Sequence, residues 1–411
     1  MEDLRQRVEA ELTSDILPFW LKYTIDDEYG GFRGQISNDL KIDRHAAKGL
    51  ILNARILWTF SKAFSIYRDP VYLQTARRAY EYISQFFWDD KFGGVYWMVD
   101  YAGQPLDTKK RIYGQAFAVY ALTEYAHATG SPEAVSKAMH IVERIESAAH
   151  DDARGGYFET FERDWTLAVD QRLSEGDMDE KKSMNTHLHL LEAYATLLRY
   201  REDTTVRFRL RELIEVFLKY IVHPVTHHFI LFFDEQWRPR SETISFGHDI
   251  EGSWLLCEAA EVLRDAHIIM RVREVSVKMA QAVYAQGLDQ DGGLFYEREP
   301  NGHVDTDKHW WPQAEAVVGF LNAYELSGKS RFESAAARSW AFIEKHIVDH
   351  GNGEWFWRVS RTGKPDQERE KVGPWKCPYH NSRTCFEVMQ RLDAQERADR
   401  ATRKSTADGL E

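Results

Sequence analysis

The 411-residue chain lacks the marks of covalent stapling, of membrane insertion and of nucleic-acid binding. It has three cysteines, Cys257, Cys377 and Cys385. So sparse and odd a set gives no disulfide framework, and without a CxxC pair the usual zinc-ribbon signature is missing too. No apolar run approaches the roughly 20 residues of a membrane-spanning helix. The opening "MEDLRQRVEAEL" is acidic and amphipathic, unlike a signal peptide. The formal charge is −12 and no run of Lys and Arg stands out. Phosphate neutralisation needs a clustered basic surface, so a nucleic-acid partner is not expected. These exclusions predict a soluble, cytoplasmic protein with neither a nucleic-acid nor a membrane partner.

Aromatic residues are plentiful, at 13% of the chain with 13 Trp. They suit a Trp-rich core, or apolar faces that stack on flat ligands and sugar rings. Length alone suggests two or three domains, but an internal repeat changes that count. "DDEYGGF" (26–32), "DDKFGGVY" (89–96), "DDARGGYF" (151–158) and "DQDGGLF" (289–295) are copies of one turn, and "DHGNGEWF" (349–356) is a weaker copy. The second glycines, Gly31, Gly94, Gly156, Gly293 and Gly353, are separated by steps of 63, 62, 137 and 60. The long step is about twice the others, which places a sixth copy near 225, in "HPVTHHFILFF", with its glycines gone.

Each unit carries an amphipathic helical stretch, such as 71–87, and one apolar nearly all round, such as 117–128 or 253–263. The second kind must be buried on most sides. Six helix pairs with no polar capping unit at either end predict a closed (α/α)6 barrel, an all-α toroid with short strand-like hairpins between helices. An open superhelix is the competing topology. The expected organisation is one catalytic domain over 1–392, then a polar, frayed tail over 393–411. Its closing "LE" reads as a cloning remnant.

The first turns of the six inner helices read "KGLILNAR" (48–55), "KKRIYGQAF" (109–117), "KKSMNTHLH" (181–189), "SFGHDIEG" (245–252), "DKHWWPQAEA" (307–316) and "PWKCPYHNSR" (374–383). In a ring these entrances converge on one mouth. Buried polar groups are costly unless paired, so six polar entrances at one end predict a polar and aromatic ligand cavity. Most of the 16 histidines are bystanders, among them His150, His227 and His228 in turn segments. His187 and His189 stand two apart and cannot share a helix face, so one of them should point inward. Trp310 and Trp311 pose the same choice.

Three chemistries fit these entrances. His248 and Glu251, three apart on one helix, could join His189 and His380 around a metal ion, although no HExxH or facial-triad pattern is present. Asp249, Glu251 and Glu315 could supply the carboxylate pair of a glycoside hydrolase. Alternatively His248 and His380, from different helices, could exchange a proton at carbon. Imidazole both takes and returns a proton near neutrality, and Arg55, Tyr113, Asn185 and His189 would serve as donors to an enediolate oxygen.

"LNARILWTFS" (52–61), "GGVYWMVD" (93–100), "MNTHLHLLEAY" (184–194), "GHDIEGSWLL" (247–256), "WWPQAEAVVGF" (310–320) and "GPWKCPYHN" (373–381) closely resemble the N-acylglucosamine 2-epimerase superfamily. Within it they look most like the cellobiose 2-epimerases, over about residues 4–392. The resemblance implies an (α/α)6 barrel and inversion at C2 of a reducing sugar with neither metal nor cofactor. It implies that His248 and His380 are the acid/base pair and that Arg55 and His189 hold the C1 and C2 oxygens. Tyr113 and Asn185 would be further sugar contacts, Glu251 the acid that supports its neighbouring histidine, and Trp311 and Trp375 the stacking walls. The implied substrates are β-1,4-linked disaccharides, with slow aldose–ketose isomerisation as a side activity, and the implied assembly is a monomer or homodimer. Mannose or N-acylglucosamine epimerisation, mannose–fructose isomerisation and glycoside hydrolysis are the alternatives.

Overall fold

A computed structural model describes residues 2–408, with side chains from 3 to 398. The chain opens with α1 (Glu2–Glu11), which runs through a π-helical turn (Leu12–Ile16) into α2 (Leu17–Tyr23). Five antiparallel pairs follow: α3 (Leu50–Tyr67) and α4 (Pro70–Tyr82), α5 (Ile112–Thr129) and α6 (Pro132–Ala148), α7 (Met184–Tyr200) and α8 (Thr204–Val216), α9 (Phe246–Leu263) and α10 (Ala266–Gln286), α11 (Trp310–Ser327) and α12 (Ser330–Phe342). Helix α13 (His380–Asp408) pairs with α1. Helices α3, α5, α7, α9, α11 and α13 form the inner ring.

Composition sorts the two rings. In α5 every residue from Ile112 to Ala126 is buried, as expected of a helix apolar on all sides. The outer α6 buries one stripe, Ala134, Ala138, Ile141, Val142 and Ile145. Four outer helices start at side-chain caps, Asp69, Ser131, Asp203 and Asp265, each accepting a backbone N–H of the first turn. Two inner helices end on Gly130 and Gly328 in the left-handed region, where a Cβ would be strained.

The repeat inferred from the glycines is complete. Antiparallel bridges close each turn at Ile25–Phe32, Trp88–Val95, His150–Tyr157, Val222–Phe229, Leu288–Leu294 and Val348–Trp355. The fourth turn, without glycine, places His227 at φ 59° instead. A buried lysine just before an inner helix reaches back to the first aspartate of its turn: Lys48 to Asp26 and Lys182 to Asp151 at 2.8 Å, Lys110 to Asp89 at 2.9 Å, Lys308 to Asp289 at 3.0 Å and Lys371 to Asp349 at 2.5 Å. The fourth unit has His223 and Ile244 at these places and has lost both partners together. That avoids stranding one buried charge.

Closure is set by the lead-in strands. Lys48–Gly49 pairs with Met98–Val99, Lys110–Arg111 with Thr160–Phe161, Lys182–Ser183 with Phe232–Phe233, Ile244–Ser245 with Glu297–Arg298, and Lys308–His309 with Arg358–Val359. A sixth link, Ile36 to Val372, joins the first unit to the last. Thr59 of α3 donates to the Pro378 carbonyl at 2.9 Å, and Trp58 packs on Phe386. The molecule is therefore a closed (α/α)6 toroid and not an open superhelix. The segment from 393 is helical as far as Asp408, because Ala, Glu and Arg favour helix, and Arg5 bonds Asp393 at 3.2 Å. The "LE" at 410–411 lies outside the described residues.

Candidate active site

The six inner-helix entrances do converge. They border a cavity of about 640 Å³, within the roughly 300–1,000 Å³ of small-molecule sites. Arg55, Tyr113, Asn185, His189, His248, Glu251, Trp311, Trp375 and His380 all line it. So do Trp310 and His309 from the start of α11. Leu173, Ser174, Asp177 and Met178 of the long loop at 160–182 form one side of the mouth.

The helical period decides the paired choices. His189 faces the cavity, whereas His187 points to the outside of the ring, where Nε2 accepts the Tyr157 N–H at 2.9 Å and Nδ1 meets the Ser183 carbonyl. His187 thus does for its turn what Gln115, Asp249 and Gln313 do for theirs, each accepting a turn N–H. Asp249 also bonds His228 at 2.6 Å, so it belongs to the framework. Trp310 and Trp311 both line the cavity.

The two candidate bases share a wall. Trp311 lies 4.7 Å from the His248 ring and 5.6 Å from the His380 ring, centroid to centroid, so the imidazoles are separated by no more than the sum of those distances. Each uses Nδ1 to anchor itself. His248 Nδ1 hydrogen-bonds with Ser245 Oγ at 2.9 Å, and His380 Nδ1 with Glu315 Oε1 at 2.7 Å. Nε2 is then the nitrogen of each that a ligand can meet. Burial, with a smaller contribution from the His189 charge, lowers His248 to about 3. Burial, then the charges of Arg55 and Arg383, holds His380 well below the ordinary histidine range. Both rings are neutral at neutral pH.

Glu251 does not support His248. One turn deeper than His248, its carboxylate meets Arg383 from α13 and lies 3.9 Å from His380 Nδ1. Three residues on a helix also mean a 4.5 Å rise, enough to separate the mouth from the floor. Glu251 is pushed up to about 7 by burial and by the Glu315 charge.

Arg55 is a buried cation without a carboxylate partner among the described residues. Its Nη2 donates to Tyr113 Oη at 2.9 Å, and its guanidinium stands 4.4 Å over the Phe117 ring and 4.8 Å over Tyr379. His189 Nδ1 bonds Glu192 at 2.9 Å while its ring packs edge-on to Tyr113. Asn185 Oδ1, His309 Nε2 and Trp310 Nε1 are buried with no hydrogen-bond partner among the described residues. Unmet polar atoms around a cavity are ready contacts for a hydroxyl-rich ligand.

Among the described residues one group could converge on a metal ion: Glu251, Glu315 and His380, with ligand atoms within 4.8 Å of one another. Arg383 already occupies that role. Its Nη2 donates to Oε1 of both carboxylates, at 2.7 Å for Glu315. The same arrangement bears on hydrolysis, which needs two carboxylates on either side of a bond. Glu251 and Glu315 instead share one guanidinium nitrogen beneath His380.

Sequence reasoning missed Glu192, Tyr379, Arg383, Ser245 and His309, and it considered Glu315 only as half of a carboxylate pair. The available signal was a charged residue set into an otherwise apolar inner helix. Glu192, Glu315 and Arg383 each stand within the first three turns of such a run.

A family model described as N-acylglucosamine 2-epimerase matches residues 30–383. The chain belongs to the N-acylglucosamine 2-epimerase family. A cellobiose 2-epimerase of Bacteroides fragilis is 45% identical over 94% of this chain and 99% of its own. The solved cellobiose 2-epimerase of Bacillus thermoamylovorans superposes with a TM-score of 0.91 at 39% identity, over 95% of this chain and 100% of that one. The N-acylglucosamine 2-epimerase of Mus musculus is 24% identical over 94% of this chain and 91% of its own.

Proposed function

We propose that this chain is an isomerase that inverts C2 of the reducing-end glucose of β-1,4-linked disaccharides, turning cellobiose into glucosyl-mannose and lactose into epilactose. The observation that carries the reading is the pair of imidazoles, His248 on α9 and His380 on α13, both packed on Trp311 and both anchored through Nδ1. The choice of a disaccharide rests on the 45% identity to a cellobiose 2-epimerase, against 24% to an N-acylglucosamine 2-epimerase.

In this reading the disaccharide enters the cavity with its rings against Trp311 and Trp375, and the reducing glucose then opens to the aldehyde. Nε2 of one histidine takes the C2 proton. The electron pair moves into a C1–C2 double bond and charge collects on the C1 oxygen, forming a cis-enediolate. Arg55, unpaired with any carboxylate among the described residues, and His189 meet that charge, and preplaced donors need no reorganisation as charge develops. The other histidine takes up a solvent proton at Nε2 while the enediolate stands and delivers it to the opposite face of C2, which gives the mannose configuration, and the first histidine releases its proton to solvent. Delivery to C1 instead gives a ketose. Tyr113 holds Arg55 and contacts the sugar, and Asn185 offers its unmet Oδ1 to a hydroxyl. Glu251 tunes His380 from below.

The test is product analysis by NMR in D2O with cellobiose, mannose and N-acetylglucosamine in separate tubes. Cellobiose is expected to give glucosyl-mannose carrying deuterium at C2. His248→Ala and His380→Ala are expected to lose that exchange while still binding sugar. Deuterium still washing in at C2 in both variants refutes the histidine assignment. Faster turnover of mannose or N-acetylglucosamine moves the substrate within the family, and released monosaccharide marks a hydrolase.

A further inference from the structure

Beneath the two sides of the cavity lies one buried guanidinium, Arg383, only 2% exposed. Its Nη1 donates to Glu192 and its Nη2 to Glu251 and Glu315. Each outer member of that set holds a histidine of the cavity wall: Glu192 Oε2 bonds His189 Nδ1 at 2.9 Å, and Glu315 Oε1 bonds His380 Nδ1 at 2.7 Å. Tyr379, next to His380 in sequence, donates its hydroxyl to Glu192 and accepts from Arg383. Trp254 Nε1 fixes the far oxygen of Glu315 at 3.0 Å. His189 and His380, from α7 and α13, are thus the ends of one continuous hydrogen-bonded chain that passes through a single side chain.

We propose that Arg383 is a positioning residue that couples His189 to His380, so that the orientation and basicity of the two imidazoles are set together rather than one at a time. The reason is geometric. A guanidinium offers donors in a rigid planar fork, so the carboxylates on its two nitrogens cannot shift independently. Three carboxyl groups also crowd one cation in a dry place, and moving any of them changes the field at both histidines. The charged and titratable groups facing this hub are Arg55 from α3, Tyr113 and Tyr120 from α5, Glu192 and His189 from α7, Glu251 and His248 from α9, Glu315 from α11, and Tyr379 and His380 at the start of α13. Lysine has the charge but not the fork. The inference extends the proposed function, since it says how the acid/base group and the oxygen-binding group keep step, yet its resonance test does not depend on turnover.

The experiment perturbs one end and reads the other. Protein labelled with 15N-histidine is compared with its Glu192→Gln variant, which bonds His189 directly and reaches His380 only through Arg383 and Tyr379. The expected result is movement of the His380 ring-nitrogen resonances, assigned by their loss in His380→Ala. Movement of the His189 signals alone, with His380 unchanged, overturns the proposal. Glu315→Gln, which bonds His380 and not His189, gives the reverse reading if Glu192→Gln fails to fold: the His189 signals, assigned by their loss in His189→Ala, are expected to move, and an unchanged His189 overturns the proposal. Arg383→Lys adds a kinetic check: kcat is expected to fall about 10- to 100-fold with KM within about threefold, as for lost support of a functional ligand. Unchanged kcat also overturns the coupling. Loss of activity on every sugar in the parent protein would count against the proposed function and leave the resonance test standing.

Discussion

Glu315→Gln is the sharpest single perturbation of this site, because the substitution keeps the volume and changes only what the group can accept. All three neighbours of the Glu315 carboxylate are donors: His380 Nδ1 at 2.7 Å and Arg383 Nη2 at 2.7 Å on Oε1, and Trp254 Nε1 at 3.0 Å on Oε2. An amide must turn its NH2 toward one of them. Facing Trp254 loses one bond, and facing Oε1's partners loses two, so the first arrangement wins. An unmet buried donor then costs about 1–3 kcal/mol of stability. At His380 the oxygen stays but loses its charge. A charge-assisted bond is about twice as strong as a neutral one, so roughly 1.5 kcal/mol of support for the imidazolium formed on proton abstraction disappears. At about 1.4 kcal/mol per decade, kcat is expected to fall about tenfold or somewhat more, with KM nearly unchanged. Initial rates of C2 deuterium exchange measure the first quantity and denaturant unfolding the second. An exchange rate within twofold of the parent would refute the claim that Glu315 supports His380. A drop near 10⁴-fold would mean that the amide turned the other way and imposed the wrong tautomer, as loss of the orienting carboxylate does in a catalytic triad.

Prolonged EDTA treatment is expected to leave C2 exchange unchanged, because Arg383 supplies the positive charge among Glu251, Glu315 and His380; activity lost to EDTA and restored by a divalent ion would contradict this. Glu159, buried at the start of α7, accepts from Ser183 N–H and Thr186 Oγ1, yet burial pushes it up to about 8. The folded state therefore binds the extra proton between about 4.5 and 8, and stability falls as pH rises through that window. Glu159→Gln removes the slope, so melting curves should favour the variant progressively from pH 5 to pH 8.5, and a pH-independent difference would refute the assignment. Lys182→Met strands Asp151, its 2.8 Å partner, and should cost about 3–5 kcal/mol. Adding Asp151→Asn should recover a large part of that loss, as the fourth unit with His223 and Ile244 already suggests, whereas strictly additive losses would show that the pair is not coupled.

The amino-acid sequence by itself determined the repeat, the two kinds of helix and the list of side chains at the mouth. These are local properties. Glycine-rich turns recur at fixed steps, a helix buried on most sides is apolar on most sides, and its unpaired polar residues crowd the first turn at the mouth, whereas those set deeper, such as Glu192 and Glu315, are paired. Even the fourth turn, stripped of glycine, was placed by period alone, and His227 in the left-handed region shows the backbone keeping the shape after its usual residue was lost. The tertiary structure alone decided closure, through the Ile36–Val372 link. It also decided which of His187 and His189 faces inward, and it gave Glu251 to Arg383 instead of to His248, three residues away. Sequence spacing fixes the angle and rise of neighbours on one helix. It carries no information on what the other helices of a ring present, and Glu315 beneath His380 and Arg383 among three carboxylates both come from other helices.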